Sequence, residues 1–556
     1  VEATPEQLPG SPLLSDADLE RLTPLGTIRP TTVGEVLFRE GDTTYDFIVI
    51  LDGRVAIVEG YGRNERTLVV GGAREFVTEL NMFTGERLFT TAIVRDAGSI
   101  LVVPMRDVVA LVGSVPELGD RIVNTVFARR EWLLRQRTGF RIVGSRFSYD
   151  TARLREFAAR NRLVHVWIDL DQDPAATAIL ADAKIPVADT PVVALPSGAL
   201  LVNPSNAELA RAVGLPTSPE PETVYDMIVV GAGPAGLAAA VYSSSEGNRV
   251  AVLEAVGPGG QIGTTTRFEN YLGFPVGITG KEFAERAVVQ AERFGADLLV
   301  PSRATALEDR DGLDVVRTDD GNEVVGRSVV IATGVDYRRL PVAGIERLEG
   351  VSVFYSPLAE EERVPPGAPI VVVGGGNSAG QAATAAAGAG HDVTLVVRGP
   401  DLESTMVSYL IERIAREPTI RVLTDTEVIE VVGEPDLSEV VVQNNRSGDR
   451  TTVPALAMFV LIGAAPYTTW LRDVVELDRA GFVLTGTSLG TEPQRHEPWR
   501  SLGRGPMLLE TSRPGVFAVG DVRSGATNRV GSAVGDGSVA ARLVHEWLAT
   551  NVARSR

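Results

Sequence analysis

A chain of 556 residues, 44% of them hydrophobic, is too long for one domain and apolar enough for three or four domains to bury a core each. The net charge of -19 argues against nucleic acid and anionic membrane surfaces, and no apolar run reaches the roughly 18 residues of a membrane span. The absence of cysteine excludes disulfides, thiolate metal sites and cysteine nucleophiles. The four histidines (His165, His391, His496 and His545) are scattered singly, so no metal site is expected. There is no charged start followed by an apolar stretch, which makes a cytoplasmic enzyme the expectation.

The first block, residues 12–138, is dense in short apolar strands separated by Gly34, Gly41, Gly53, Gly60 and Gly71. That spacing predicts a small β-roll, closed by a helix over about 118–137. The second block, 140–215, reads as a strand at 141–143, a helix over 151–161 with Asp150 as N-cap, and a strand at 164–170. A helix over 174–183, a hairpin of 191–195 and 199–202 across Ser197-Gly198, and a helix over 206–213 complete a βαβαββα order. Residues 216–222, with Pro216, Pro219 and Pro221, form a stiff polar linker.

The third block begins at 223. Tyr225 to Val230 reads as a buried strand running into Gly231-Ala232-Gly233-Pro234-Ala235-Gly236 and a small-residue helix. A second strand, 249–253, ends at Glu254. This is a dinucleotide fingerprint in its required context. A second glycine turn, Gly374-Gly375-Gly376-Asn377-Ser378-Ala379, follows a strand at 370–373, and Gly515 to Asp521 closes the set. Two related nucleotide folds follow from this order, residues 223–340 with 465–556, and 341–464 inserted between them. The fold class expected is multidomain: a β-roll with helices, a small βαβαββα domain, and two Rossmann-like α/β (ββα) domains, one inserted in the other.

Glycine at such a turn lets the backbone approach a diphosphate. The helix N-terminus supplies N–H donors and a partial positive charge. An acid at the end of the second strand accepts from ribose hydroxyls, the role that falls to Glu254.

With these motifs, residues 223–556 resemble the low-molecular-weight thioredoxin reductases, pyridine nucleotide-disulfide oxidoreductases that use FAD and NADPH. The resemblance implies that FAD rests on Gly231, Gly233, Pro234, Ala235 and Gly236, with Glu254 at the ribose. Gly260, Gln261, Asn270, Thr333 and Gly334 match flavin-contacting segments. Gly520 and Asp521 match the ribityl-binding site, and Arg529-Val530 lies where the family passes the isoalloxazine. It also implies NADP on Gly374, Gly376, Asn377, Ser378, Ala379 and Arg398. An arginine at the end of the strand 392–397 can pair bidentately with a 2′-phosphate. The family places His-Arg-Arg-x-x-x-Arg there, whereas this chain keeps Arg398 but has Val397, Gly399 and Glu403. Glu403 would oppose a phosphate. NADPH is the favoured cofactor, with NADH, either, or a silent nicotinamide site as alternatives.

The family carries a Cys-x-x-Cys pair ahead of the second glycine turn. Ser356 and Ala359 stand at those positions here, and neither can carry electrons. Glu360 matches a proton-donating aspartate, but it reads better as one of three acids, Glu360 to Glu362, on a solvated loop. The expected function is therefore an FAD-dependent oxidoreductase that passes electrons from NAD(P)H through flavin to an external acceptor. A small redox protein or a quinone would suit. The alternative is a flavoprotein sensor or interaction hub with little turnover. Resemblance to a dimeric family implies a homodimer.

The first block resembles cyclic-nucleotide-binding domains through Gly34 to Asp42 and Leu51-Asp52-Gly53. In that resemblance Arg87 would hold the cyclic phosphate and Glu79 the ribose. Thr78, Asn81 and Leu88-Phe89 replace small residues, and the expectation is that bulk there crowds a ligand, which favours a structural or docking role. The second block resembles a glutaredoxin-like or thioredoxin-like domain, with Thr190-Pro191 at the family's cis-proline site. Ser145-Arg146-Phe147-Ser148 lies where the thiols would be.

Overall fold

The computed structural model describes residues 13–552 apart from 44, 64, 78–86, 137, 265–270, 356–363, 491–495 and 528. The chain divides into two compact units. One comprises Val1–Ser145, Leu154–Glu220 and Val289–Ser302; the other comprises Arg146–Arg153, Pro221–Val288 and Arg303–Arg556.

The first unit opens with a six-stranded antiparallel sheet. Two 13-residue strands, Phe47–Glu59 and Thr91–Val103, form its centre, flanked by Thr27–Pro30 and Arg66–Gly71. Val36–Phe38 and Phe76–Val77 pair on the long strands. The sheet kinks where Gly53 and Gly98 meet. A Cβ on Gly98 would lie 2.1 Å from Asp52 O, and Gly53 has φ +89, so only glycine permits this crossing. One sheet face packs Phe47, Val49 and Leu101 against two helices through Val108, Val112, Leu118 and Ile122. The sequence predicts one closing helix, over about 118–137. The structure has two, Met105–Ser114 and Pro116–Arg135, divided at Val115 with Pro116 at the first turn of the second.

A four-stranded mixed sheet follows, in the order Leu200–Val202, Val192–Ala194, Phe140–Gly144, His165–Asp169. Phe140–Gly144 runs parallel to His165–Asp169 and antiparallel to Val192–Ala194. The Thr190-Pro191 peptide is cis. Asp150 lies inside the helix Tyr149–Arg160 and is not its N-cap; Ser148 Oγ accepts from the Thr151 N–H at 3.3 Å.

The second unit holds two parallel sheets. In one, Val250–Leu253, Met227–Val230, Val329–Ile331 and Val516–Ala518 run side by side. Asp226 separates Met227–Val230 from Val224–Tyr225, which joins a different sheet, so the expected single strand is two. The chain leaves this sheet after Ile331 and returns at Val516. In between it builds the second sheet, Val353–Phe354, Ala457–Val460, Pro369–Val373, Asp392–Val396, Ile420–Leu423. The exit and return strands, Val335–Tyr337 and Ala464–Pro466, pair antiparallel. Two further sheets are built on antiparallel pairs, one on Ala304–Arg310 with Leu313–Thr318, the other on Thr426–Val432 with Glu439–Asn444. The protein is therefore multidomain with Rossmann-like α/β sheets.

Among the described residues, no helix is long and apolar enough to cross a membrane. No group of three or more acids and histidines among them could hold a metal ion.

Candidate dinucleotide sites

The first glycine turn links Met227–Val230 to the helix Pro234–Ser245. Its three glycines meet three different surroundings. A Cβ on Gly231 would lie 2.4 Å from Ala332 O, and Gly231 has φ +108. A Cβ on Gly236 would lie 1.9 Å from Gly231 O, so the helix sits directly on the turn. A Cβ on Gly233 would meet nothing nearer than the Gly260 Cα at 3.8 Å. Two glycines thus serve packing, and the third leaves an open approach at the helix N-terminus. That cradle fits a diphosphate, which needs close backbone and unspent N–H donors.

Glu254 is buried at the end of Val250–Leu253. Its Oε2 accepts from the Ala232 N–H at 2.9 Å, and its Oε1 from Val256 and Gly257 N–H at 3.0 and 3.2 Å. Three of roughly four acceptor positions on the carboxylate are therefore used by backbone. Glu254 fixes the turn first and has about one position left for a ribose hydroxyl, which narrows the role read from sequence.

Gly259 and Gly260 both have positive φ, and the Gly259 N–H donates to Ala232 O at 2.8 Å, which stitches this turn to the first. Gln261 Nε2 donates to Val335 O at 2.7 Å. Thr333 Oγ1 donates to Tyr467 O at 3.1 Å, and Gly334 has φ +62. On the other side, Gly520 packs closely on Ala235, with a hypothetical Cβ 2.9 Å from the Ala235 Cβ. Asp521 follows it. Burial raises the Asp521 carboxyl above the usual carboxylate range, and repulsion from Asp536 adds to this. Arg529 is exposed ahead of the helix Val530–Val552, and Asn270 lies outside the described residues.

Asp536 was missed from sequence. Its Oδ2 accepts from the Gly520 N–H at 3.1 Å and pairs with Arg523. The available signal was an acid next to Gly537, where a Cβ would stand 2.2 Å from Ala235 O, in the glycine-rich start of the helix.

The second glycine turn repeats the first. A Cβ on Gly374 would lie 2.3 Å from Leu461 O, whereas one on Gly376 would meet only Thr405 O, at 4.0 Å. Ala379 is fully buried at the third position. The helix Asn377–Gly388 starts at this turn, with Ser378 in its first turn. Two bonds absent from the sequence reading fasten the following loop to it: Thr405 Oγ1 donates to Gly375 O at 2.7 Å, and Asn377 Oδ1 accepts from the Val407 N–H at 2.9 Å. Arg398 and Glu403 are exposed beyond the strand Asp392–Val396, and among the described residues Arg398 has no ion-pair partner.

Residues 225–537, more than half of the chain, match the family model described as pyridine nucleotide-disulphide oxidoreductase. The chain belongs to this family. The thioredoxin reductase of Mycolicibacterium smegmatis is 32% identical over 336 residues, which cover 59% of this chain and 98% of that protein. A "34.2 kDa protein in rubredoxin operon" of Clostridium pasteurianum is 31% identical over 327 residues, again 59% of this chain and 98% of the relative. The crystal structure of Lactococcus lactis thioredoxin reductase is 27% identical, covering 59% of this chain and 99% of that one with a TM-score of 0.49. Residues 29–114 match the model for a cyclic nucleotide-binding domain.

The chain is thus a thioredoxin-reductase-like pyridine nucleotide-disulphide oxidoreductase, fused to a cyclic nucleotide-binding domain and devoid of cysteine. FAD and NADPH are typical of its family. Ser356, Ala359 and Glu360 lie outside the described residues. Just ahead of them, Tyr355 OH donates to Glu349 Oε1 at 2.8 Å, and the Arg339 guanidinium stands 4.5 Å from the Tyr355 ring. Burial and that carboxylate push the Tyr355 phenol up to about 12, so it stays protonated at neutral pH. In the cyclic nucleotide-binding domain, Glu79 also lies outside the described residues, whereas Arg87 is held by its neighbours.

Proposed function

We propose that this chain is an FAD-dependent NAD(P)H oxidoreductase that delivers electrons to an external acceptor without a dithiol of its own. The observation that carries this reading is the absence of cysteine from a member of a disulphide-oxidoreductase family. Bound FAD would supply a store for the two electrons of a hydride and could release them one at a time.

In this reading residues 223–340 and 465–556 form the FAD domain, and 341–464 the NAD(P) domain. Gly231, Gly233, Pro234, Ala235 and Gly236 hold the FAD diphosphate, and Glu254 braces the turn while taking a ribose hydroxyl. Gly260, Gln261, Asn270, Thr333 and Gly334 line the flavin, with Gly520 and Asp521 at the ribityl chain and Arg529 and Val530 beside the ring. Gly374, Gly376, Asn377, Ser378 and Ala379 receive the nicotinamide dinucleotide. The exposed Arg398, without an ion-pair partner among the described residues, supports a preference for NADPH, which Glu403 tempers by its charge. The acceptor is a small redox protein or a quinone, and the assembly a homodimer.

Residues 12–138 are taken as the cyclic-nucleotide-binding-like domain, 140–215 as a thioredoxin-like domain without thiol chemistry, and 216–222 as their linker to the reductase. The strand and helix order of 140–215 supports this, as does Ser145, whose Oγ donates to Asp171 Oδ2 at 2.6 Å.

Anaerobic addition of NADPH to the FAD-loaded protein tests the proposal. Loss of the blue flavin absorbance, followed by its return on adding ferricyanide or a quinone, is the expected result. Unchanged absorbance with both NADPH and NADH would instead mean a flavoprotein without turnover.

A further inference from the structure

We infer that Arg87 is a docking residue, which fastens the 140–215 module to the β-roll instead of holding a ligand phosphate. The inference is independent of the redox reading. The Arg87 backbone N–H donates to Val213 O at 3.2 Å. Val213 ends the helix Asn206–Val213, where carbonyls lack partners within the helix. The Arg87 stem lies on the helix cap, Gly214, where a Cβ would stand 2.8 Å from the Arg87 Cγ. Gly214 has φ +84, so both the cap and the contact require glycine. The far end of the side chain turns back to Gly41 O at 3.4 Å.

The next two residues continue the interface. Leu88 and Phe89 occupy positions where a phosphate-binding loop would need small side chains. They are 1% and 6% exposed and belong to cores. Phe89 packs on Phe140 with ring centroids 6.4 Å apart, in a cluster that includes Leu209, Ala210 and Val213. Leu88 is tied to the Gly41-Asp42 turn by two backbone bonds, Leu88 N–H to Asp42 O and Gly41 N–H to Leu88 O. A second arginine makes a parallel contact: Arg63 Nη1 donates to Pro196 O at 3.1 Å, beside the hairpin at Gly198. Arg87, through its backbone N–H and its stem on Gly214, and Arg63, through its guanidinium, thus hold two separate backbone stretches of one module, beside the apolar cluster of Phe89 and Phe140.

Hydrogen–deuterium exchange on the full chain tests this. Arg87→Ala should raise the exchange of amides in 209–215 by roughly fivefold, the scale of one lost contact. Gly214→Ala should raise it at least as much. The double variant should fall short of the product of the two, because removing the arginine stem relieves the clash that the alanine Cβ creates. In the wild type, 1 mM cyclic AMP or cyclic GMP should leave exchange at 87–89 unchanged. Unaltered exchange in Arg87→Ala, effects that simply multiply in the double variant, or protection of 87–89 by either nucleotide would overturn the assignment. The nucleotide arm uses the wild-type chain and does not depend on a variant folding.

Discussion

Gly233 and Gly236 sit in the same turn, yet alanine at each should fail in a different way. At Gly236 the added Cβ would lie 1.9 Å from Gly231 O, backbone that cannot move without shifting the strand Met227–Val230. Overpacking of this kind costs on the order of 3 kcal/mol or more, so Gly236→Ala should destabilise the protein even without FAD. At Gly233 the backbone is extended, with φ −75 and ψ 180, and the nearest atom to a new Cβ is 3.8 Å away. The fold should lose only about 0.5–1 kcal/mol there, the difference between glycine and alanine at a helix N-cap. The methyl group would, however, occupy the approach to the helix N-terminus and hold a diphosphate away from its N–H donors. A loss of about 3 kcal/mol in binding corresponds to roughly a hundredfold in FAD affinity. The assay compares the flavin-to-protein absorbance ratio as purified with urea unfolding of the FAD-stripped proteins. Gly233→Ala should be nearly colourless with a near-normal unfolding midpoint, and Gly236→Ala should show a lowered midpoint. A Gly233→Ala protein carrying full FAD would refute the reasoning, as would an undisturbed Gly236→Ala apoprotein.

Other outcomes follow from the same geometry. Arg398→Ala should weaken NADPH use by roughly 10- to 100-fold and leave NADH nearly untouched, since one exposed charged partner is worth about 1–3 kcal/mol; equal loss with both cofactors in steady-state kinetics would make the arginine structural. Burial raises the Asp314 carboxyl from 3.8 to about 6 although Arg513 pairs with it. Between roughly pH 4 and 6 the folded state keeps this proton and the unfolded state releases it, so its contribution to stability falls as pH rises, by up to about 3 kcal/mol. Asp314→Asn removes that slope, and urea unfolding of both proteins at pH 4.5 and 7 should show the wild type losing ground to the variant at the higher pH; the opposite trend contradicts the assignment. Ser356→Cys with Ala359→Cys should create a disulfide that NADPH reduces in the FAD-loaded protein, as counted by thiol titration. A pair that stays oxidised would show that the pocket no longer presents these positions to the flavin.

The glycine turns were legible because their constraints are steric and local. Gly231 and Gly374 must be glycine against Ala332 O and Leu461 O, and each announces itself between an apolar strand and a small-residue helix. The insertion of one nucleotide fold in the other followed from the same order. Contacts that depend on distant backbone were not legible. Glu254 reads as a ribose acceptor, and nothing in its sequence shows that three backbone N–H groups also converge on it. Thr405 and Asn377 lie far apart in sequence and meet at a single turn. Leu88 and Phe89 read as bulk beside a ligand, since only the fold reveals the apolar partner, Phe140, that buries the phenylalanine. Asp150 misled for a simpler reason: Ser148 and Asp150 are both good caps, and propensity alone does not choose between them.

The central claim, a member of the disulphide-oxidoreductase family that works without a thiol of its own, is tested most directly by comparing acceptors in one assay. NADPH oxidation would be followed with the FAD-loaded chain and either ferricyanide, a quinone or oxidised thioredoxin. The account predicts sustained turnover with ferricyanide or the quinone and none with thioredoxin. Efficient reduction of thioredoxin by the purified, cysteine-free chain would contradict it.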